Sequence, residues 1–295
     1  MNATTTLPAR QSPARALFGL FKLRIGVVIA FTAWAAIVVT RGPGIGVVRS
    51  AILVFAVLVA SAAAGAFNQY AEVDIDRRMG RTRRRPFVTG ALTHGRHWVW
   101  IILGMVLAAT TLAGWAANLW SALYTFLGAF FYGVVYTVWL KRRTWLNIVV
   151  GGLAGSFSFL AGAAAVQPEP GTLPLVFALV LFLWTPPHFW SMAIAYRRDY
   201  QEAGIPMLPV VAGDAVSSRA IVAHVIALVA ASLLPAALGM GMVYWIPAAV
   251  AGTWFLRTAL ALMASPGPRS AMRCFHASLV QLSVVLSAAM IDASL

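Results

Sequence analysis

The sequence predicts an all-α membrane protein of about nine transmembrane helices packed around a central cavity. Of its residues, 61% are hydrophobic and only 10% are charged, whereas soluble domains carry about 25% charged residues. Uncharged runs such as Ala51–Phe67 and Trp120–Leu140 are long enough to cross a hydrocarbon core about 30 Å thick. These runs are apolar on every face, whereas the strands of a membrane barrel alternate in polarity. Helices are therefore expected.

Residues 1–20 are predicted to form a mobile N-terminal tail, and residues 21–295 a single transmembrane domain. The tail is shorter than most transit peptides, which favours a bacterial inner (plasma) membrane over a mitochondrial inner membrane. Arg257 lies within the eighth apolar segment and is predicted to mark the end of that span. The predicted spans are Ile25–Val39, Ala51–Phe67, Trp98–Trp115, Trp120–Leu140, Ile148–Val166, Leu173–Ala195, Ala220–Leu238, Val243–Met263 and Phe275–Ile291.

The positive charge is concentrated on one side of the predicted membrane. The formal net charge is +14, which in a soluble protein would suggest a nucleic-acid partner. Here the cations flank apolar segments, and 20 of the 22 Lys and Arg residues fall on one face, with Arg41 and Arg49 opposite. Because cytoplasmic loops are enriched in Lys and Arg, the N-terminus is predicted to be cytoplasmic. The expected partner is the lipid bilayer, with no nucleic acid.

Three of the eight acidic residues cluster directly after the second predicted span. On a continuous helix, Asn68, Glu72 and Asp76 lie four residues apart and share one face, whereas Asp74 points elsewhere. Carboxylates near bilayer depth are costly and usually functional. Mg²⁺ is commonly bound by one or two carboxylates together with substrate phosphates. The pattern therefore predicts a Mg²⁺ site at Asn68, Glu72 and Asp76.

An arginine-rich segment, Arg77–Pro86, follows this cluster. Its default interpretation is an anchor that contacts lipid headgroups. Arg81 and Arg85 are the candidates for a different role, because guanidinium groups match phosphate oxygens bidentately. We expect these two arginines to bind a diphosphate.

A second polar cluster follows the sixth predicted span. Pro186 and Pro187 are predicted to break or kink that span, and they either line a cavity or only bend the helix. His188, set among aromatic residues, is either a hydrogen-bonded structural group or a contact to a ligand. Asp199 is predicted to enter the cytoplasmic mouth opposite Asp76 and to hold a cation there.

These motifs together resemble the intramembrane aromatic prenyltransferase superfamily. Residues 68–86 resemble its first aspartate-rich motif, which ends in Arg-Thr and Arg-Pro at residues 81–82 and 85–86. Within the superfamily, the resemblance is strongest to the haem O synthases (protohaem IX farnesyltransferases). It is carried by Tyr136-Thr137, Leu140-Lys141-Arg142, Pro187-His188 and the segment from Asp199 to Val211.

The sequence departs from the superfamily pattern at a few positions. Glu72 stands where aspartate is usual, which alters the reach of one proposed ligand. Lys22-Leu23-Arg24 replaces Lys-Pro-Arg, and Trp145-Leu146 replaces Pro-Gln. Ala203 stands where quinone prenyltransferases carry a further aspartate, and this absence is itself similar to haem O synthases.

The resemblance implies transfer of a farnesyl group from farnesyl diphosphate to the 2-vinyl group of protohaem IX (haem B), with addition of water to give haem O. It implies Mg²⁺ as cofactor, held by Asn68, Glu72, Asp76 and Asp199. Lys141 is implied to assist Arg81 and Arg85 in diphosphate binding, and His188 to bind haem. The haem-A-forming enzyme or the terminal oxidase assembly are the implied protein partners.

Two alternatives remain open from the residues alone. In the first, the enzyme prenylates a quinone-ring precursor such as 4-hydroxybenzoate. In the second, the protein is a cation-coupled transporter whose carboxylates bind the coupling ion and whose Pro186-Pro187 pair marks a broken helix. Placement of the acidic residues beside a phosphate-suited arginine segment favours an enzyme over a transporter.

Overall fold

The computed structural model describes residues 12–295, and within that range the chain is helical, with no strand. The all-α prediction is therefore confirmed. Residues 1–11 of the predicted tail lie outside the described range, and residues 13–20 form a helix. The helices are α1 Pro13–Leu20, α2 Leu23–Val39, α3 Val47–Ala71, α4 Val73–Arg78, α5 Pro86–Thr89, α6 His97–Ala116, α7 Leu119–Phe130 with a π-helical continuation Phe131–Leu140, α8 Asn147–Gly151, α9 Leu153–Val166, α10 Thr172–Ala195, α11 Arg197–Glu202, α12 Leu208–Ala237, α13 Met242–Ala264 and α14 Pro268–Ala293.

Among the described residues, eight helical segments are long and apolar enough to cross a membrane, or nine if a bent pair counts as one span. The bent pair is α1 and α2, which meet at 44°. Lys22, at the bend, adopts a left-handed backbone conformation with φ 48°. The bent pair accounts for the first of the nine predicted spans. The protein is thus a multi-pass membrane protein.

Large side chains on the outside of the bundle and small ones inside it fit a protein that packs in lipid. Trp100, Leu107 and Trp115 are between 69% and 73% exposed, as expected for surfaces that face acyl chains. Between helices, small residues permit close backbone approach. A Cβ on Gly162 of α9 would overlap the carbonyl oxygen of Ala33 in α2. Only glycine fits at this crossing.

A central cavity of about 330 Å³ lies between α2, α3, α7, α9, α10 and α14. Its walls are mostly apolar or small residues, such as Ile29, Ala60 and Leu282. Lys22 and His188 also line it. The cavity agrees with the predicted architecture of helices around a central space.

One local prediction about helix continuity is wrong. Helix α3 ends at Ala71 and Glu72 separates it from α4, with φ −113° and ψ 19°. Of the break or kink predicted at Pro186 and Pro187, the break does not occur, because α10 continues through both prolines. Helix α13 extends past Arg257 to Ala264. The Arg257 side chain is long enough to carry its charge towards the membrane surface from within a helix.

Candidate active site

The first acidic cluster is buried at the junction of α3 and α4. Asn68, Glu72 and Asp76 are 2%, 0% and 1% exposed. The helix break at Glu72 does not separate them, because the backbone N–H of Asp76 donates to the carbonyl oxygen of Glu72 at 2.8 Å. Residue spacing of one helical turn is therefore retained across the break. Two carboxyl groups and an amide lie together in the protein interior.

Glu72 forms an ion pair with Lys141, which follows the π-helical segment. The Lys141 ammonium group donates to Oε2 of Glu72 at 2.6 Å. The second carboxylate oxygen, Oε1, is buried and has no hydrogen-bond partner among residues 12–295. Buried charges need both a partner and further hydrogen bonds to offset their desolvation. Glu72 thus retains an acceptor that protein groups in the described range do not satisfy.

Asp76 is held by Arg85 from the loop that follows α4. One terminal nitrogen of Arg85, Nη1, donates to both carboxylate oxygens of Asp76 at 2.7 Å. Burial raises the pKa of the Asp76 carboxyl, while the adjacent Arg85 acts in the opposite direction. Arg85 itself is only 19% exposed as a side chain, which places a guanidinium group at the edge of the acidic cluster.

Lys22 completes a set of cations around this cluster, and sequence reasoning gave it no role. Its ammonium group donates to Oδ1 of Asn68 at 2.7 Å and to the Tyr132 hydroxyl at 3.1 Å. The amide nitrogen of Asn68 donates to Oγ1 of Thr137 at 3.0 Å. The sequence shows only a lysine at the start of the first span. Its partner Asn68 is 46 residues away in sequence, so the contact could not be inferred from spacing.

Asp74 points away from the cluster, as the helical spacing predicts. Its carboxylate accepts from both terminal nitrogens of Arg142 at 2.9 and 2.8 Å, and its side chain is 53% exposed. Hydrogen bonding from Arg142 lowers the pKa of Asp74, and the same contact raises the pKa of Arg142. This pair ties the turn after the π-helical segment to α4.

Asp199, on α11, lies against the loop that connects α4 and α5. Its Oδ2 accepts from the backbone N–H of Arg81 at 3.2 Å, and the Arg81 guanidinium group lies over the Tyr196 ring at 6.0 Å. The Arg81 side chain is exposed. The two polar clusters, separated by more than 100 residues in sequence, therefore meet at the same end of the bundle.

His188 lies inside α10, where it lines the central cavity. The residue is 8% exposed. Its ring stacks between Trp184 and Phe275, with ring centroids 4.2 Å and 4.4 Å away. Its Nδ1 lies 2.7 Å from Oγ of Ser278. The hydrogen bond to Ser278 fits the prediction that His188 is a structural group. The position of His188 on the cavity wall fits the alternative prediction that it contacts a ligand.

The buried oxygen atoms of the cluster suit a hard divalent cation. Asn68, Glu72 and Asp76 offer amide and carboxylate oxygens, and Oε1 of Glu72 has no hydrogen-bond partner within the described range. Within the described range, no three His, Cys, Asp or Glu side chains are grouped so that they alone hold a metal ion. Mg²⁺ typically takes one or two carboxylates and completes its shell with water and phosphate oxygens. The residues fit Mg²⁺ shared with a phosphorylated substrate.

A buried acidic cluster, ringed by cations and adjacent to an apolar cavity, is the arrangement that a membrane enzyme needs to hold an anionic, lipid-like substrate. The chain matches the UbiA prenyltransferase family over residues 28–283, and it belongs to that family. The prediction of an intramembrane prenyltransferase is confirmed.

Curated relatives cover nearly the whole chain. "Protoheme IX farnesyltransferase 2" of Paramagnetospirillum magneticum is 53% identical over 94% of this chain and 96% of the relative. "Protoheme IX farnesyltransferase 1" of the same organism is 46% identical over 92% of this chain and 96% of its own length. The "Protoheme IX farnesyltransferase" of Parvibaculum lavamentivorans is 39% identical over 95% of this chain and 89% of its own length.

Solved structures share the fold at low sequence identity. A chain described as digeranylgeranylglyceryl phosphate synthase superposes with a TM-score of 0.79 at 17% identity, covering 96% of this chain and 99% of that one. A UbiA homolog from Archaeoglobus fulgidus bound to DMAPP and Mg²⁺ superposes with a TM-score of 0.66 at 14% identity, covering 92% and 98%. These likenesses establish the helical fold.

Proposed function

We propose that the protein transfers the farnesyl group of farnesyl diphosphate to the 2-vinyl group of protohaem IX (haem B), with addition of water, giving haem O and diphosphate. Three relatives carry the name protoheme IX farnesyltransferase, and this chain aligns with at least 89% of the length of each. The observation that carries the proposal in the structure is the buried cluster of Asn68, Glu72 and Asp76, which is joined to a largely apolar cavity by Lys22, a residue that lines the cavity and donates to Asn68.

Asn68, Glu72, Asp76 and Asp199 are proposed to hold Mg²⁺, which when bound neutralises diphosphate charge and so favours ionisation of the allylic C–O bond. The unpaired Oε1 of Glu72 supports this assignment. A homolog of the same fold is described as bound to DMAPP and Mg²⁺. Because Arg85 and Lys141 already contact Asp76 and Glu72, these cations would compete with a metal for the same oxygens.

The cations of the site are proposed to bind the diphosphate. Arg85 and Lys141 lie at the carboxylates, so that each needs to move only a short distance to reach phosphate oxygens beside them. Arg81 is exposed at the mouth beside Asp199. Charge stabilisation of a leaving diphosphate by fixed cations is the largest contribution expected from the protein.

The apolar cavity is proposed to receive the prenyl chain and the reacting part of the macrocycle, with His188 binding the haem. The terminal carbon of the vinyl group attacks C1 of the farnesyl group as the C1–O bond to diphosphate breaks. Water then adds to the resulting cation and loses a proton, which gives a hydroxyethylfarnesyl group. Stacked tyrosines Tyr132 and Tyr136 lie near the acidic cluster, with ring centroids 5.6 Å apart, and their π faces suit stabilisation of a nearby cation.

The proposed location is a bacterial inner (plasma) membrane with the N-terminus and the acidic cluster on the cytoplasmic side. The loop after α3 carries seven arginines between residues 77 and 96, which supports this orientation. The proposed protein partners are the haem-A-forming enzyme and the terminal oxidase assembly, since they would consume the product.

Incubation of purified protein with haem B, farnesyl diphosphate and Mg²⁺, followed by mass analysis of extracted haems, tests the proposal. The expected product has the mass of haem B plus one farnesyl group and one hydroxyl group, because the added water loses a proton. A parallel reaction with 4-hydroxybenzoate tests the quinone-precursor alternative. Prenylation of 4-hydroxybenzoate with unchanged haem would contradict the proposed acceptor.

A further inference from the structure

We propose that Nε2 of His188 is the axial ligand that binds the iron of the protohaem substrate. The inference rests on the proposed function and adds the residue, the atom and the protonation state through which the macrocycle is held. It is carried by the hydrogen bonds of Ser278 and by the position of His188 on the cavity wall.

The hydrogen bonds of Ser278 determine which nitrogen of His188 carries the proton. Oγ of Ser278 lies 2.6 Å from the carbonyl oxygen of Phe275 and 2.7 Å from Nδ1 of His188. A carbonyl oxygen has no proton to donate, so the single hydroxyl proton of Ser278 occupies the first contact. Ser278 must then accept from His188, which places a proton on Nδ1. In the neutral imidazole, Nε2 consequently bears a free lone pair.

That lone pair is available to a ligand. Within residues 12–295, Nε2 of His188 has no hydrogen-bond partner, and it is also not among the fully buried atoms that lack one. Both facts are met if Nε2 is open to the cavity that His188 lines. A structural histidine would be expected to satisfy its second nitrogen within the protein.

The surroundings hold the imidazole in one orientation. Trp184 and Phe275 stack on the ring at interplanar angles of 20° and 27°. Trp184 is fixed in turn, since its indole N–H donates to the carbonyl oxygen of Ser278 at 2.7 Å. Histidines that bind metals almost always donate the other ring N–H to an acceptor that sets tautomer and orientation. Ser278 and Trp184 together provide this support, and Ser278 is a positioning residue.

The inference is tested by titrating ferric haem and metal-free protoporphyrin IX into the detergent-purified full chain and into His188→Ala. Loss of an iron ligand should weaken haem binding by about 10-fold or more, on the scale of metal-site substitutions, and leave protoporphyrin binding nearly unchanged. Added imidazole should restore the absorption spectrum of the haem complex. His276→Ala is the matched control, because His276 is exposed on α14 and does not line the cavity.

A second variant covers the case in which His188→Ala fails to fold. Ser278→Ala keeps the imidazole but removes the acceptor of its Nδ1–H, so the iron–histidine stretching band of the ferrous complex should shift in resonance Raman spectra. A wild-type haem spectrum in His188→Ala, or an unshifted band in Ser278→Ala, would overturn the inference. Equal weakening of haem and protoporphyrin binding would do the same. Absence of haem binding by the wild-type protein would contradict the proposed function as well.

Discussion

At the residue scale, the charges of the site are arranged so that each of the three buried side chains has its own cation. Lys22 contacts Asn68, Lys141 contacts Glu72, and Arg85 contacts Asp76. The helical spacing was sufficient to predict that Glu72 and Asp76 lie together and that Asp74 points elsewhere. It did not predict the cations' partners, because these pairings join positions up to 69 residues apart and depend on how helices pack.

Asp76→Asn is expected to abolish prenyl transfer, whereas Asp74→Asn should retain measurable activity. Asp76 is buried in the cluster, while Asp74 forms an exposed pair with Arg142. The measurement is product formation per amount of folded protein, with both variants purified alike. Equal loss in the two variants would contradict the distinction between a buried, functional Asp76 and an Asp74 outside the site.

Lys141→Met is expected to lower stability strongly, because it leaves the buried Glu72 carboxylate without its partner. Breaking a buried ion pair typically costs about 3–5 kcal/mol. The double variant Glu72→Gln/Lys141→Met removes both charges and should recover much of that loss, yet remain inactive. Thermal unfolding in detergent checks the stability, and product formation checks the activity. An active double variant would exclude both residues from the chemistry.

At the element scale, helix breaks were the least predictable feature. The sequence favours a continuous helix through Glu72 and a break or kink at Pro186-Pro187, whereas the structure interrupts the helix at Glu72 and continues α10 through both prolines. Within a membrane bundle, neighbouring helices, side chains and local backbone adjustments can satisfy the carbonyl oxygens that a proline leaves without a donor. Such compensation depends on local contacts that composition does not reveal. Span number and approximate location, in contrast, follow from apolar length alone.

Gly162→Ala is expected to destabilise the bundle, because its methyl group would overlap the Ala33 carbonyl of α2. Overpacking of this kind typically costs about 1–3 kcal/mol. Gly104→Ala serves as the control, since a Cβ at this helical position meets no atom within 4 Å. Thermal unfolding of the two variants in the same detergent should separate them. A melting temperature of Gly162→Ala equal to that of Gly104→Ala would contradict the close crossing of α2 and α9.

The Asp74–Arg142 pair should stabilise the junction of α4 with the π-helical segment in a pH-dependent manner. Because the pKa of Asp74 is lowered in the folded protein, the contribution is fully present above the unfolded value, about 3.9. It is lost as the pH falls through the lowered folded value. The pair is half exposed, so its worth is at most about 1 kcal/mol. Asp74→Asn should therefore reduce stability slightly at pH 7 and not at the acid end of the range, as measured by unfolding at both pH values.

At the scale of the whole molecule, the bundle brings a charged cluster and an apolar cavity into contact. The cluster comes from α3, α4 and the segments after the π-helical stretch and α10, while the cavity is lined by residues of seven of the described helices. Sequence motifs predicted both polar clusters and a central cavity. They did not predict Lys22 at the boundary between the two, because only the bend between α1 and α2 places its side chain there.

The most direct test of the central claim is binding of a non-reactive farnesyl diphosphate analogue to the detergent-purified protein, measured by calorimetry with Mg²⁺ and with excess chelator. Mg²⁺-dependent binding is expected, which Asp76→Asn eliminates and Asp74→Asn preserves, since only Asp76 belongs to the buried cluster. Equally tight binding in chelator, or in Asp76→Asn, would contradict the claim that this cluster holds the metal and the diphosphate.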